Sequence, residues 1–140
     1  MKKGSPTVDL DGMRILLVED ESNVRETLAR LLRIEGAEVK TAGTGREALD
    51  LLARHTFDLL LTDLDLPDVP GDMIIRHVLT QSAGHAQVLV ITGSSEGDML
   101  RAREAGAEIV LIKPVDWSIL ISHIRSARLD SVVTLTQTAA

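Results

Sequence analysis

Five side chains able to do chemistry stand directly at the ends of apolar runs. "ILLV" (Ile15–Val18) is followed by Glu19 and Asp20, "LLLT" (Leu59–Thr62) by Asp63, "VLVI" (Val88–Ile91) by Thr92, and "IVLI" (Ile109–Ile112) by Lys113 and Pro114. If the four runs lie side by side, three carboxylates, a hydroxyl and an ammonium group meet at one edge. Carboxylates gathered in this way repel one another, and one is driven toward protonation unless a cation intervenes. Hard oxygen donors with few protein neighbours suit Mg2+, which keeps several of its waters and is often shared with a phosphate. A carboxylate at such a mouth can attack phosphorus and become an aspartyl phosphate. The transferring group then needs its equatorial oxygens neutralised. Lys113 can meet one, Thr92 can donate to another, and the metal can hold a third.

The runs are near-continuously apolar, as expected of parallel strands covered on both faces. "EVKT" (Glu38–Thr41) alternates and predicts an edge strand. Helical spacing fills the intervals. Val24, Leu28, Leu31 and Leu32 share a face before Gly36. "TGRE" (Thr44–Glu47) reads as a capping box ahead of Ala48, Leu49 and Leu52. Ile74, Ile75, Val78 and Leu79 form a third helix after Gly71. "SEGD" (Ser95–Asp98) opens a fourth that Gly106 closes, and Asp116 caps a fifth carrying Trp117, Leu120, Ile121 and Ile124. Strand and helix alternate five times, which predicts a doubly wound α/β fold with a parallel sheet and right-handed crossovers. Ligands of such sheets bind outside the carboxyl ends of the strands. Residues 13–128 are expected to form one domain, preceded by a loose leader, Met1–Gly12, and followed by a tail or linker stub, Leu129–Ala140.

Composition narrows the function. At 140 residues one domain suffices. Phe57 and Trp117 are its only aromatic residues, which argues against base stacking, and a net charge of −6 argues against direct nucleic-acid binding. The absence of cysteine removes disulfides, thiolate zinc sites and a cysteine nucleophile. No apolar stretch is long enough to span a membrane, and no signal-peptide core follows Lys2 and Lys3. A cytoplasmic location is the expectation.

In the order and spacing of "LLVEDE", "LLLTDLDLPDVPG", "VLVITG" and "GAEIVLIKPVD", the chain resembles the receiver domain of bacterial two-component response regulators, from about Met13 to Ala127. That resemblance implies a flavodoxin-like, five-stranded sheet in the order 2-1-3-4-5. It implies phosphoryl transfer from a phosphohistidine to Asp63, from a histidine kinase or phosphotransfer protein. It implies Mg2+ on Glu19, Asp20, Asp63 and the backbone carbonyl of Asp65, with Asp20 more directly on the metal. It also implies a cis peptide before Pro114 and a switching face made by the fourth helix, fifth strand and fifth helix. The output partner is not identified, a homodimer is allowed, and the chain is expected to be a stand-alone regulator or a receiver excised from a larger regulator or hybrid kinase.

Three positions depart from the pattern. The acid pair is Glu-Asp. Val110 stands at the switch position where an aromatic residue is usual, so no ring can report phosphorylation. Asp65 and Ser94 occupy the modulating positions, two after the acceptor and two after Thr92; the Asp65 carboxylate either repels the phosphoryl group or orients water. Asp68 is expected to be a turn residue in "PDVPG". Glu21, Asp58 and Asp116 are expected to be structural, as a solvated loop acid, a strand-start acid and a cap. The four histidines (His55, His77, His85 and His123) share no metal spacing and are read as surface or helix residues. Trp117 belongs either to the core or to a partner-facing surface.

Two other readings compete. A haloacid-dehalogenase-like phosphatase also carries Asp-x-Asp after a strand, but it needs its metal acids after the lysine, and here only Asp116 and Asp130 follow. A pseudo-receiver used only for docking would not need the full set of reactive side chains. A dinucleotide-binding domain lacks its glycine-rich turn after the first strand.

Overall fold

The computed structural model describes residues 9–93 and 96–139, with side chains through residue 128. Its elements are β1 (Arg14–Val18), α1 (Ser22–Ile34), β2 (Glu38–Ala42), α2 (Gly45–Arg54), β3 (Leu59–Asp63), α3 (Gly71–Gln81), β4 (Gln87–Thr92), α4 (Glu96–Ala105), β5 (Ile109–Ile112) and α5 (Trp117–Ala139). All four strand pairings are parallel and the order is β2-β1-β3-β4-β5. Successive residues of a strand face opposite sides, so the apolar runs feed two cores at once. Leu16, Val18, Leu60, Val88 and Val90 meet α2, α3 and α4 on one face. Ile15, Leu17, Leu59, Leu61 and Leu89 meet α1 and α5 on the other.

Local chemistry sets the helix starts. The Thr44 hydroxyl accepts from the Glu47 backbone N–H at 3.1 Å, and the Glu47 carboxylate reaches back to the Gly43 N–H at 2.6 Å. The capping box therefore forms, with its return bond one residue ahead of the cap. Glu21 is not a free loop acid: its carboxylate accepts from the Val24 N–H at 2.7 Å and caps α1. Asp116 precedes α5, where its carbonyl accepts from the N–H groups of Ile119 and Leu120. Ser95, expected to open α4, lies outside the described residues.

Four expectations are revised. The last residues of the leader are not loose: Leu10 is fully buried, its N–H donating to the Glu35 carbonyl, and Gly12 donates to Gly36. An apolar residue four before β1 joins the core on the α1 and α5 side of the sheet, which the sequence pattern does not reveal. Residues 1–8 lie outside the description. At the other end, α5 does not stop near residue 128 but continues as helix through Ala139. β5 is only partly covered, with Ile112 42% exposed, because it is an edge strand and the facing helix α4 buries only Ala102 and Ala105. Val24 is also exposed, on the rim of a groove that it shares with Leu28, Ile91, Pro114 and Leu120.

At the sheet end remote from the strand carboxyl termini, Asp58 accepts from the Arg14 guanidinium and from its backbone N–H. Partial burial alone would push the Asp58 carboxyl up, but the hydrogen bonds and charge of Arg14 outweigh it and hold the pKa below the usual carboxylate range. A depressed folded pKa contributes stability that is present above the unfolded pKa and lost as pH falls through the folded value. Asp58→Asn should therefore be less stable than the wild type near neutrality, and the gap should close under acid, as read by urea denaturation at the two pH values.

Candidate functional site

The strand ends bring the expected groups together. Oxygens of Glu19, Asp20 and Asp63 all lie within 4.8 Å of one another. Asp63 closes β3 and is 5% exposed. Its Oδ2 is 2.6 Å from the Lys113 Nζ, and its Oδ1 accepts from the Asp65 N–H at 3.0 Å. Glu19 is equally buried; its Oε1 lies 3.8 Å from the same Nζ, while its carboxylate also accepts from the Glu21 N–H at 3.0 Å. Asp20 faces solvent. Thr92 ends β4 and is fully buried, and its hydroxyl oxygen has no hydrogen-bond partner among the described residues. The Lys113 N–H donates to the Thr92 carbonyl at 2.8 Å, which ties the end of β5 to the end of β4. The Lys113–Pro114 peptide is cis.

The electrostatics follow from this crowding. Burial pushes the Glu19 carboxyl above the usual range, and the nearby Asp63 charge adds to it, while the Glu21 N–H and Lys113 only partly compensate. Burial alone would lower the Lys113 ammonium, but the Asp63 hydrogen bond and the charges of Asp63, Glu19 and Asp20 outweigh it and raise its pKa. Three carboxylates against one ammonium leave the mouth anionic. An all-oxygen set of this kind fits a small divalent cation.

The other expected residues are placed as follows. Asp65 is exposed at the mouth, in the loop after β3. Ser94 lies outside the described residues. Val110 is half-buried in β5 and packs on the core beneath α4. Trp117 is half-buried against the core under α1 and α5. His55, His77 and His85 are exposed and His123 is half-buried; none joins the acidic cluster.

Two residues to which the sequence assigns no role at the site border it. Arg25 on α1 donates to the Glu19 carbonyl at 2.8 Å and lies 3.5 Å from the Asp20 carbonyl, bracing the turn that carries the acid pair. Asp68 is more than a turn residue. Its carboxylate accepts from the Gly45 N–H at 2.8 Å, the Arg46 N–H at 2.9 Å and the Val69 N–H at 3.0 Å. Desolvation opposes its ionisation, but these backbone N–H groups prevail and hold its carboxyl below the usual range. Arg25 stands six and five residues after the carbonyls that it reaches, a separation with no helical signature, and the Gly45 and Arg46 partners of Asp68 are more than twenty residues away, so neither role was announced by spacing.

The carboxyl edge of this parallel α/β sheet thus carries three acids, a lysine and a buried hydroxyl with no partner among the described residues. Residues 15–125 match the response regulator receiver domain, and the chain belongs to that family, the receivers of two-component systems. It is 39% identical over 127 residues to the transcriptional regulatory protein PdtaR of Mycobacterium tuberculosis, a match covering 87% of this chain and 61% of that protein. It is 34% identical over 115 residues to the cell cycle transcriptional regulator CtrA of Caulobacter vibrioides, covering 81% of this chain and 49% of CtrA. The chain thus spans about half to three-fifths of the length of these relatives. Among solved structures, a CheY-like receiver domain protein from Methanospirillum hungatei superimposes with a TM-score of 0.83 at 27% identity, covering 89% of this chain and 99% of that one. The chemotaxis response regulator CheY4 of Vibrio cholerae gives 0.76 at 26% identity, covering 83% and 98%. The family match decides between the two Asp63-centred readings in favour of the receiver over the phosphatase. No helix among the described residues is long and apolar enough to cross a membrane.

Proposed function

We propose that Asp63 is the phosphoryl acceptor of this receiver and that Thr92 and Lys113 hold the transferred group. The observation that carries this reading is the Thr92 hydroxyl, fully buried without a partner among the described residues at the same sheet edge as Asp63 and Lys113. A buried polar atom left unsatisfied costs free energy, and a phosphoryl oxygen would satisfy it. Glu19, Asp20, Asp63 and the Asp65 carbonyl would hold Mg2+, which when bound supplies positive charge to the phosphoryl oxygens. An Asp63 oxygen bonds to phosphorus as the bond from phosphorus to the donor imidazole nitrogen breaks, and the electron pair leaves with the imidazole. Lys113 gives up its direct contact with Asp63 to meet a phosphoryl oxygen, and Thr92 donates to another.

The chain is not an enzyme acting on separate substrates; it catalyses only its own phosphorylation and dephosphorylation. Its donor is a histidine kinase or phosphotransfer protein, and it works in the cytoplasm. Its readout is the face formed by α4, β5 and α5, with Val110 in place of an aromatic switch, so the response rests on Thr92 and the turn that follows it. Asp65 and Ser94 set how long the phosphoryl group lasts. Incubation with acetyl phosphate and Mg2+ should add the mass of one phosphoryl group to the intact protein, and chelation of the metal should prevent it. An unchanged mass after prolonged incubation would favour the pseudo-receiver, a docking module of the same fold.

A further inference from the structure

The turn between β2 and α2 carries no reactive group, yet it is fastened to both loops that carry the acids. On one side the Arg25 guanidinium, which grips the Glu19 and Asp20 carbonyls, lies so close to Gly43 that a Cβ there would sit 2.8 Å from its Nη1. On the other side Asp68, three residues beyond Asp65, accepts from the first two N–H groups of α2 while also bonding to the Val69 N–H of its own loop. Val69 closes the seam, with its Cγ2 occupying the space a Cβ of Gly45 would need. Thr44 and Glu47 already cap this helix from within. Those bonds take the Glu47 and Gly43 N–H groups, and Asp68 supplies the acceptors for the Gly45 and Arg46 N–H groups from another loop.

We propose that the β2–α2 turn is a strut between the two metal-bearing loops, and that Asp68 is a positioning residue that holds the Asp65 carbonyl where Mg2+ needs it. This rests on the receiver reading above. The connection runs from the Glu19 N–H, which donates to the Ala42 carbonyl at 3.0 Å, along the backbone of Gly43, Thr44 and Gly45 to the Asp68 carboxylate and on along the loop to Asp65, with Arg25 packed close to Gly43. Two N–H groups at the positive end of α2 fix the Asp68 carboxylate from one side and the Val69 N–H fixes it from the other. The loop from Leu64 to Pro70 is thereby set relative to α2 at its far end, while the Asp63 Oδ1 takes the Asp65 N–H at its near end. With both ends held, the peptide between them has little freedom to turn its carbonyl away. Residues that orient a metal ligand commonly change metal affinity without touching the metal.

The test is Mg2+ titration by calorimetry on the whole chain, which reads binding without any phosphoryl transfer. Asp68→Ala should weaken Mg2+ by about tenfold. Asp68→Asn keeps one acceptor oxygen and should fall between it and the wild type; it carries the test if the alanine variant is poorly folded. Thr44→Ala removes a cap of the same helix but not the tether, and should leave Mg2+ affinity within about twofold of wild type. At saturating Mg2+, phosphoryl uptake by Asp68→Ala should recover to near the wild-type rate, which places the defect in metal binding and not in the acceptor. Wild-type Mg2+ affinity in both Asp68 variants, or an equal loss in Thr44→Ala, would overturn the strut. Failure of the wild type itself to take up Mg2+ would instead overturn the receiver reading, and the strut with it.

Discussion

Asp63→Asn is expected to abolish phosphoryl uptake from acetyl phosphate, with a fall of at least about 100-fold in rate. The change is nearly isosteric. The amide oxygen can still accept from the Asp65 N–H, as the Asp63 Oδ1 does now at 3.0 Å. What disappears is the anionic oxygen able to bond to phosphorus, together with the 2.6 Å ion pair to Lys113. One negative charge also leaves a cluster of three carboxylates. That should ease the repulsion that helps hold the Glu19 carboxyl above its usual range. The folded state should survive, because the excess of acids over Lys113 falls from two to one. Stopped-time mass measurements give the rate, and a thermal melt of the same sample separates a chemical defect from unfolding. Uptake within a few-fold of the wild type would place the acceptor elsewhere.

The second large effect is on the scaffold. Gly71→Ala is expected to destabilise the domain by about 3 kcal/mol or more. A Cβ at Gly71 would lie 2.6 Å from both the Asp63 carbonyl oxygen and the Leu64 Cα, and 2.9 Å from the Leu64 carbonyl oxygen. These are backbone atoms at the end of a fully buried strand, so no flexible side chain can swing aside. The Gly71 N–H also donates to the Leu64 carbonyl at 3.0 Å, and relief of the clash would stretch that bond. A small domain has only about 5–15 kcal/mol of stability, so the melting temperature should fall by roughly 10 °C or more. Gly93→Ala is the matched comparison, since a Cβ there meets no described residue within 4 Å. The close approach also puts α3 against the acceptor's own carbonyl, so Gly71→Ala should perturb uptake in the fraction that remains folded. Equal denaturation midpoints for the two glycine variants would refute this account of the loop.

Much of this architecture could be read directly from residue order. The near-continuous apolar runs identified β1, β3, β4 and β5 within a residue or two, because a strand covered on both faces cannot carry a polar side chain in its middle. The site followed, since a parallel sheet delivers every strand end to the same edge and Glu19, Asp20, Asp63, Thr92 and Lys113 sit at those ends. What escaped was the bracing. Asp68 resembled any acid in a Pro-rich turn, and its partners at Gly45 and Arg46 become neighbours only after β2 and β3 are laid on opposite sides of β1. Leu10 was hidden for a similar reason: one apolar residue in a polar leader has no periodicity to announce that it is buried. The partial exposure of β5 depends on the smallness of Ala102 and Ala105 on α4, a matter of coverage that an apolar run of four residues does not express.

The central claim is an acyl phosphate on Asp63, and it can be located chemically. Hydride reduction of an acyl phosphate carries the carboxyl carbon to the alcohol, which converts an aspartate into homoserine. The protein should be incubated with acetyl phosphate and Mg2+, treated with borohydride, digested and sequenced by mass spectrometry. Homoserine at position 63, absent when acetyl phosphate is omitted, is the predicted result. Homoserine at Asp20 or Asp65, or a borohydride-resistant phosphoryl group on Thr92, would contradict the account.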